Sequence, residues 1–384
     1  MEEVYLKWYH TFLFLFQAFL TVADTTTDIL TCLTYREQGQ ETWFAVSLCV
    51  TVITMIVLCV WSIIASTLRT LTKEDDADVD AANPDVIFRN TAVNVLLGCF
   101  CVGPPLHSFQ MFLVCACRFK RLWRSDGGLR IDKGRLYYLY IHTLNLKMVE
   151  GLLESAPQLI IQVYVMLEQR ENISVTQMIS APISFLSLTW MITCTEAFRK
   201  FANKNLKLLH NLVIFICNVG IIAARTLAII FFTLAFPWWL FLVFVTHCFI
   251  IITSGYCLWR SKRKQDLLVF IFAYSPLYLW IYSSYYLDKL RGNAPFSFAL
   301  RLGISVSWHL LFTVENIAMI LGYYFLHHGR QWFDLPALVV VVAGNVGGVL
   351  LKSLAWYCFA KGSHNNERPA LPVTIRVVNQ KNRA

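Results

Sequence analysis

The sequence predicts an all-α polytopic membrane protein with about eight transmembrane helices, two re-entrant helical hairpins and two pseudo-repeated halves. Three observations carry the fold class. Of 384 residues, 57% are hydrophobic and 15% are charged, whereas soluble domains run about 45–50% apolar and about 25% charged. The mean hydropathy is +0.54. Several apolar runs reach roughly 20 residues, enough to cross a hydrocarbon core of about 30 Å. These runs are continuous rather than alternating, which argues against a transmembrane β-barrel.

The first span is placed at 10–34. The start "MEEVYLKWYH" is acidic, and Asp24 and Asp28 interrupt the apolar stretch behind it, so this segment reads as a retained span rather than a cleaved signal peptide. A second span follows at 43–67. The apolar stretch 91–117 is broken by "VGPPL", with Pro104 and Pro105 adjacent. Paired prolines in mid-run break a helix, and two half-helices that enter and return accommodate the break. Spans then follow at 143–167, 174–198, 211–235 and 237–259. A second broken stretch, 267–286, carries Pro276 within "YSPLY" and predicts the other hairpin. The last spans are 299–326 and 335–359.

Basic residues set the orientation. They gather in 118–135, in 199–207, in "RSKRK" at 260–264 and in the tail 361–384. The loops 36–42, 168–173 and 327–334 are short and carry one Arg each. With both broken stretches re-entering, all basic clusters share the cytoplasmic side, and both termini lie there. The layout divides into an N-terminal membrane repeat, 1–210, a C-terminal membrane repeat, 211–360, and a disordered cytosolic tail, 361–384. The first repeat holds hairpin 91–117 and cytosolic loops 69–90 and 118–142; the second holds hairpin 267–286. Both halves read span, span, broken hairpin, then a span bearing Glu150 or Glu315, which leaves 174–198 and the last span outside the matched units. The sequon Asn172-Ile173-Ser174 lies so close to the membrane that glycosylation there is not expected.

Several function classes are excluded. The chain has neither glycine-rich nucleotide-binding loop nor paired-histidine metal motif. Its twelve cysteines show no zinc-site spacing. No enzyme activity, cofactor or metal is expected. The net charge of +9 suits anionic inner-leaflet lipids rather than nucleic acid.

The informative residues are ionisable ones inside spans, each of which costs about 2.5–3.5 kcal/mol on insertion scales. Asp24 and Asp28 share one helix face. In "VEGLLESAPQLIIQVYVMLEQ", Glu150, Glu154, Gln158 and Gln162 recur every four residues, tracing a slowly drifting stripe if the helix is continuous. Pro157 frees a carbonyl within it. Glu196 and Arg199 lie a turn apart, Arg225 stands alone in "IIAARTLAII", and Glu315 and Asn316 sit in "FTVENIAM". Acids therefore outnumber the bases Arg199, Arg225 and Lys147. The residues leave three readings open: a passive lipid path, a secondary transporter or channel for a small solute, and a membrane scaffold. A packing role for the charges is open beside them.

The same stretch, with its "E-x-APQL-x-x-Q-x-Y" pattern, resembles the most characteristic segment of the XK-related family. "DTTTDI" resembles that family's paired aspartates. "LLGCFCVGPPLHSF" resembles its hairpin motif, and "LGISVSWHLLFTVENIAMILGYYF" resembles its late crossing through Glu315 and Asn316. The resemblance runs over residues 10–360. It implies eight crossings with two hairpins, and scrambling of phospholipids, including phosphatidylserine exposed on dying cells, at the plasma membrane. It also implies that Asp24, Asp28, Glu150, Glu154, Glu196, Arg199, Arg225 and Glu315 form an internal polar path, joined by Gln158 and Gln162 from the stripe. Membrane phospholipids are the implied cargo, and a single-pass membrane protein or a cytosolic bridge-like lipid-transfer protein the implied partner. The family's tail cleavage by caspases has no counterpart, because 1–23 and 361–384 lack Asp. Asp78, closing Asp75-Asp76-Ala77-Asp78, is the candidate cleavage position.

Overall fold

The computed structural model describes residues 4–71, 103–124, 129–131, 135–169, 173–200, 208–258, 298–327 and 331–366. Its membrane helices are α1 (His10–Glu37), α2 (Glu41–Leu71), α3 (Gly103–Cys117), α5 (Arg135–Glu150), α6 (Ala156–Gln169), α7 (Val175–Lys200), α8 (Leu208–Ala235), α9 (Pro237–Leu258), α10 (Phe298–Leu326) and α11 (Asp334–Asn366). A short helix α4 (Phe119–Arg124) follows α3. Two three-residue strands, β1 (Val4–Leu6) and β2 (Leu129–Ile131), pair antiparallel with Val4 opposite Ile131. The sequence reading had no structure in either segment. This ribbon ties the chain's start to the loop after α4, and its Leu6 is fully buried.

Local chemistry fixes the helix ends. α1 stops at Gly39, whose φ of 72° lies in the left-handed region. Gln40 N–H donates to Tyr35 O at 2.8 Å and Gly39 N–H to Arg36 O at 3.0 Å, the paired bonds of a Schellman stop. α7 opens with a capping box. Gln177 N–H donates to Ser174 Oγ, and Ser174 N–H donates to Gln177 Oε1. Ser174 thus has a structural role of its own within the Asn172 sequon. Pro237 heads α9, where a missing N–H costs nothing.

Seven of the described helices are long and apolar enough to cross a membrane, and the chain is an all-α polytopic membrane protein. The predicted span 143–167 corresponds to residues 135–169, which the chain traverses as α5, a π turn at Gly151–Ser155 and α6. Ala156 N–H donates to Gly151 O, five residues back. Pro157 follows immediately and has no N–H to restore the α pattern. Gly151 permits the close approach of α7: a Cβ there would lie 2.9 Å from Met191 Cε. Pro104 and Pro105 occupy the first turn of α3, so the "VGPPL" break is a helix start. Residues 91–102, the stretch 267–286 with Pro276, and Asp78 lie outside the described residues.

Packing forms two groups. In the first, α1 meets α2, α3 and α7, and α7 also meets α6; in the second, α8 meets α9, α10 and α11, and α10 also meets α11. The groups join where α7 and α6 pack on α8. One apolar core centres on Phe14, Met111, Tyr140 and Leu144, the other on Leu159, Met191, Ile229 and Ile320. The α8–α11 seam is closest. A Cβ on Gly344 would lie 2.6 Å from Gly220 O, and one on Gly348 would lie 2.7 Å from Ile221 Cγ1. Small residues four apart allow two helix backbones this approach where no hydrophobic drive separates helix from lipid.

Candidate functional site

Polar side chains of α1 build one wall of a buried ladder. Gln17, Thr21, Asp24 and Asp28 recur at four, three and four residues, so they share a face over roughly 16 Å. All four are nearly inaccessible. α7 supplies the opposite wall through Ser180, Ser184 and Ser187. α5, the π turn and α6 close the third side.

The ladder is built in levels. Gln17 Nε2 donates to Ser108 Oγ of α3 at 2.9 Å. At the next level Lys147 Nζ donates to Glu150 Oε1 at 2.7 Å, to Thr21 Oγ1 at 2.9 Å and to Ser187 Oγ at 2.9 Å. Above it, Asp24 accepts from Ser155 Oγ at 2.6 Å and from Ser184 Oγ at 2.7 Å. Asp28 Oδ1 then accepts from Gln162 Nε2 at 2.8 Å and from Ser180 Oγ at 3.0 Å. Gln158 branches toward α2, donating to Ser47 O and Thr51 Oγ1 and accepting from Ser47 Oγ. The π turn matters here. It presents Ser155 to Asp24 and buries Glu154 beside Glu150, Asp24 and Asp28. The even drift expected of a continuous α-helix is therefore interrupted at Glu154, because a π turn carries more residues per turn.

Two further clusters lie in the second group. Arg225 is fully buried and donates from Nη1 to Asn316 Oδ1 at 2.7 Å. Glu315 Oε2 stands 3.1 Å from Arg225 Nη1 and 2.9 Å from His247 Nδ1. Asn316 Nδ2 continues to Asn345 Oδ1 of α11 at 2.9 Å, and the guanidinium carbon lies 5.3 Å from the Phe312 ring centre. Seven residues earlier on α8, Asn218 joins Glu196 and Lys352. Lys352 Nζ donates to Glu196 Oε1 at 2.8 Å and to Asn218 Oδ1 at 3.1 Å. Asn218 Nδ2 donates to Thr193 Oγ1 and Glu196 Oε2. Glu196 is thus partnered across helices, and the Arg199 side chain lies outside the described residues.

The structure therefore divides the single predicted set. Asp24, Asp28, Glu150, Glu154, Gln158 and Gln162 converge, while Arg225 with Glu315 and Glu196 with Lys352 form separate centres. Counting partners changes the charge balance as well. Glu150, Glu196 and Glu315 each face a cationic or imidazole partner within 3.1 Å. Asp24, Asp28 and Glu154 face hydroxyls, an amide and one another. Asp28 Oδ2, Glu154 Oε1 and Gln162 Oε1 are buried without a hydrogen-bond partner. Unpaired buried carboxylates are costly, and among the three clusters the excess of acid sits in this one. Among the described residues no His, Cys, Asp and Glu side chains group as metal ligands.

A family profile described as XK-related protein matches residues 12–361. The chain belongs to the XK-related family. It is similar to XK-related protein 8 of Gasterosteus aculeatus, 22% identical over 88% of this chain and 80% of that protein. It is also similar to two proteins of Tetraodon nigroviridis. XK-related protein 8 is 23% identical over 66% of this chain and 62% of its own length. XK-related protein 9 is 28% identical over 44% of each. The match thus spans about three fifths of one Tetraodon relative and under half of the other.

In this XK-related chain, several residues of the clusters and of the helix seam escaped sequence reading. Lys352 and His247 stand in apolar spans, where a lone ionisable residue is itself a signal. The serines of α7 are neutral and common, and their alignment with the aspartates is a tertiary fact. Gly344 and Gly348 carry the small-residue spacing that closes the α8–α11 seam.

Proposed function

We propose that this XK-related protein moves phospholipids passively between leaflets, phosphatidylserine included, with head groups passing along the ladder between α1, α6 and α7. The observation that carries the reading is the concentration of uncompensated acid there: Asp24 and Asp28, buried and held by neutral donors, and Glu154, buried beside them with its Oε1 unmet. A head group crossing hydrocarbon must replace its hydration with polar partners. The ladder offers serine hydroxyls, amides, carboxylates and one ammonium over roughly half the hydrocarbon thickness. The levels are closed in this conformation, so passage requires α7 to separate from α1 and α6. The serine bonds are then exchanged for bonds to the head group, which keeps the net cost low.

In this reading the protein resides in the plasma membrane with cytoplasmic termini and contributes to phosphatidylserine exposure on dying cells. Its partner is a single-pass membrane protein or a bridge-like lipid-transfer protein, and Asp78 is the candidate cleavage position. Purified protein in vesicles carrying fluorescent phospholipids, with an impermeant quencher outside, tests the activity. Signal loss beyond the outer leaflet, slowed by Glu154→Gln, supports it. The same vesicles loaded with a small solute separate lipid movement from the alternative of secondary transport, which the buried acids also suit.

A further inference from the structure

A cavity of about 480 Å³ opens where the ends of α6, α8, α10 and α11 meet, away from all three clusters above. Its lining joins Glu168 and Gln169 of α6 to Tyr323 of α10, His327 just past its end and Phe333 before α11. This volume lies within the range of small-ligand sites, about 300–1,000 Å³.

Several polar atoms there are acceptors, beside the donor N–H groups of the Gln169 amide and the His327 ring. Glu168 is an exposed carboxylate at the rim. Gln169 Oε1 is buried and accepts no hydrogen bond. Tyr323 donates its hydroxyl to Asp334 Oδ1 at 2.8 Å, so its own donor is already used. Asp334 Oδ2 accepts from Gln331 N–H at 2.7 Å. The Tyr323 and His327 rings stack, with centroids 4.9 Å apart and planes 16° apart, and Phe333 adds a third aromatic wall. Acceptors, a negative rim and ring faces favour a cation. The orphan Gln169 acceptor selects further, because an unmet buried acceptor needs a donor. A primary ammonium brings three N–H donors; a quaternary ammonium brings none.

We propose that this cavity binds a primary ammonium group, either the head group of an aminophospholipid in the adjoining leaflet or a free amine. Glu168 supplies the counter-charge, Gln169 the directional bond once its amide turns the unmet Oε1 into the cavity, and the aromatic walls exclude water. The site is separate from the ladder, so it stands or falls apart from lipid passage.

The test uses the full chain in phosphatidylcholine nanodiscs, titrated with radiolabelled ethanolamine and with choline as competitor. Saturable ethanolamine binding is expected, with choline a weaker competitor. Glu168→Gln is expected to weaken binding about threefold to fivefold, the scale of a solvent-exposed ion contact. Gln169→Leu is expected to remove the preference for ethanolamine over choline. Phosphatidylethanolamine in the disc that blocks the soluble amine identifies a lipid head group as the source; undiminished binding identifies a free amine. Absence of saturable binding, equal competition by choline, or unchanged affinity in Glu168→Gln overturns the proposal. Elution volume and thermal unfolding verify that each variant is folded.

Discussion

Lys352 donates to Glu196 and Asn218 from 2.8 and 3.1 Å, and neither ionic side chain is more than 4% exposed. Removing one partner of a buried pair strands the other charge, at a cost of about 3–5 kcal/mol, whereas removing both is often neutral. Lys352→Met should therefore lower the unfolding temperature markedly, and the double variant with Glu196→Met should recover most of the loss. Thermal unfolding in detergent reads both, and a double variant no better than the single contradicts the pairing. The same residues show how far the sequence reaches. Asp24, Asp28, Glu150 and Glu154 declare themselves because carboxylates in a lipid span have few explanations. Their serine partners do not, since Ser180, Ser184 and Ser187 are tolerated in any helix and gain meaning only when α7 is docked.

At the scale of elements, the π turn and the glycine seam position everything else. The eight predicted spans coincide with described helical segments because long apolar runs dominate their placement. The π turn at Gly151–Ser155 was not legible: four-residue spacing is read on the assumption of α geometry, and what breaks it is Pro157 together with packing on Met191. The α8–α11 seam offers a clean experiment. A Cβ at Gly344 would sit 2.6 Å from Gly220 O, whereas one at Gly347 meets nothing within 4 Å. Gly344→Ala should cost about 1–3 kcal/mol, as overpacked contacts do, and Gly347→Ala should be close to neutral. Thermal unfolding and the yield of monodisperse protein measure the difference, and equal effects at the two glycines would refute the seam. The seam also sets Asn345 beside Asn316 and Lys352 beside Asn218, so loosening it should disturb both clusters.

For the whole molecule, the two groups are built alike. In the first, α7 packs against the first crossing and against α6, the latter half of the third; in the second, α11 packs against α8 and α10. We propose that each repeat contains four crossings, with α7 and α11 as equivalent members. The sequence layout left these two helices unmatched because the correspondence lies in contacts, not in residues. Each unit carries its polar centre between its first, third and fourth crossings. The chemistry differs: the first centre gathers carboxylates around Lys147, and the second centres on Arg225 held by Glu315, Asn316 and His247. Between these two centres, among the described residues, the acid excess belongs to the first, and that asymmetry favours the N-terminal ladder as the route for cargo. The most direct test is leaflet-exchange of fluorescent phospholipid in vesicles containing equal amounts of wild-type, Asp24→Asn, Glu154→Gln and the Lys352→Met/Glu196→Met double variant. The account predicts exchange beyond the outer leaflet for wild type, about tenfold slower exchange for Asp24→Asn and Glu154→Gln, a change of about 1.4 kcal/mol in barrier, and near wild-type exchange for the folded double variant. Wild-type quenching that stops at the outer leaflet, or equal rates for wild type and the two ladder variants, would contradict it.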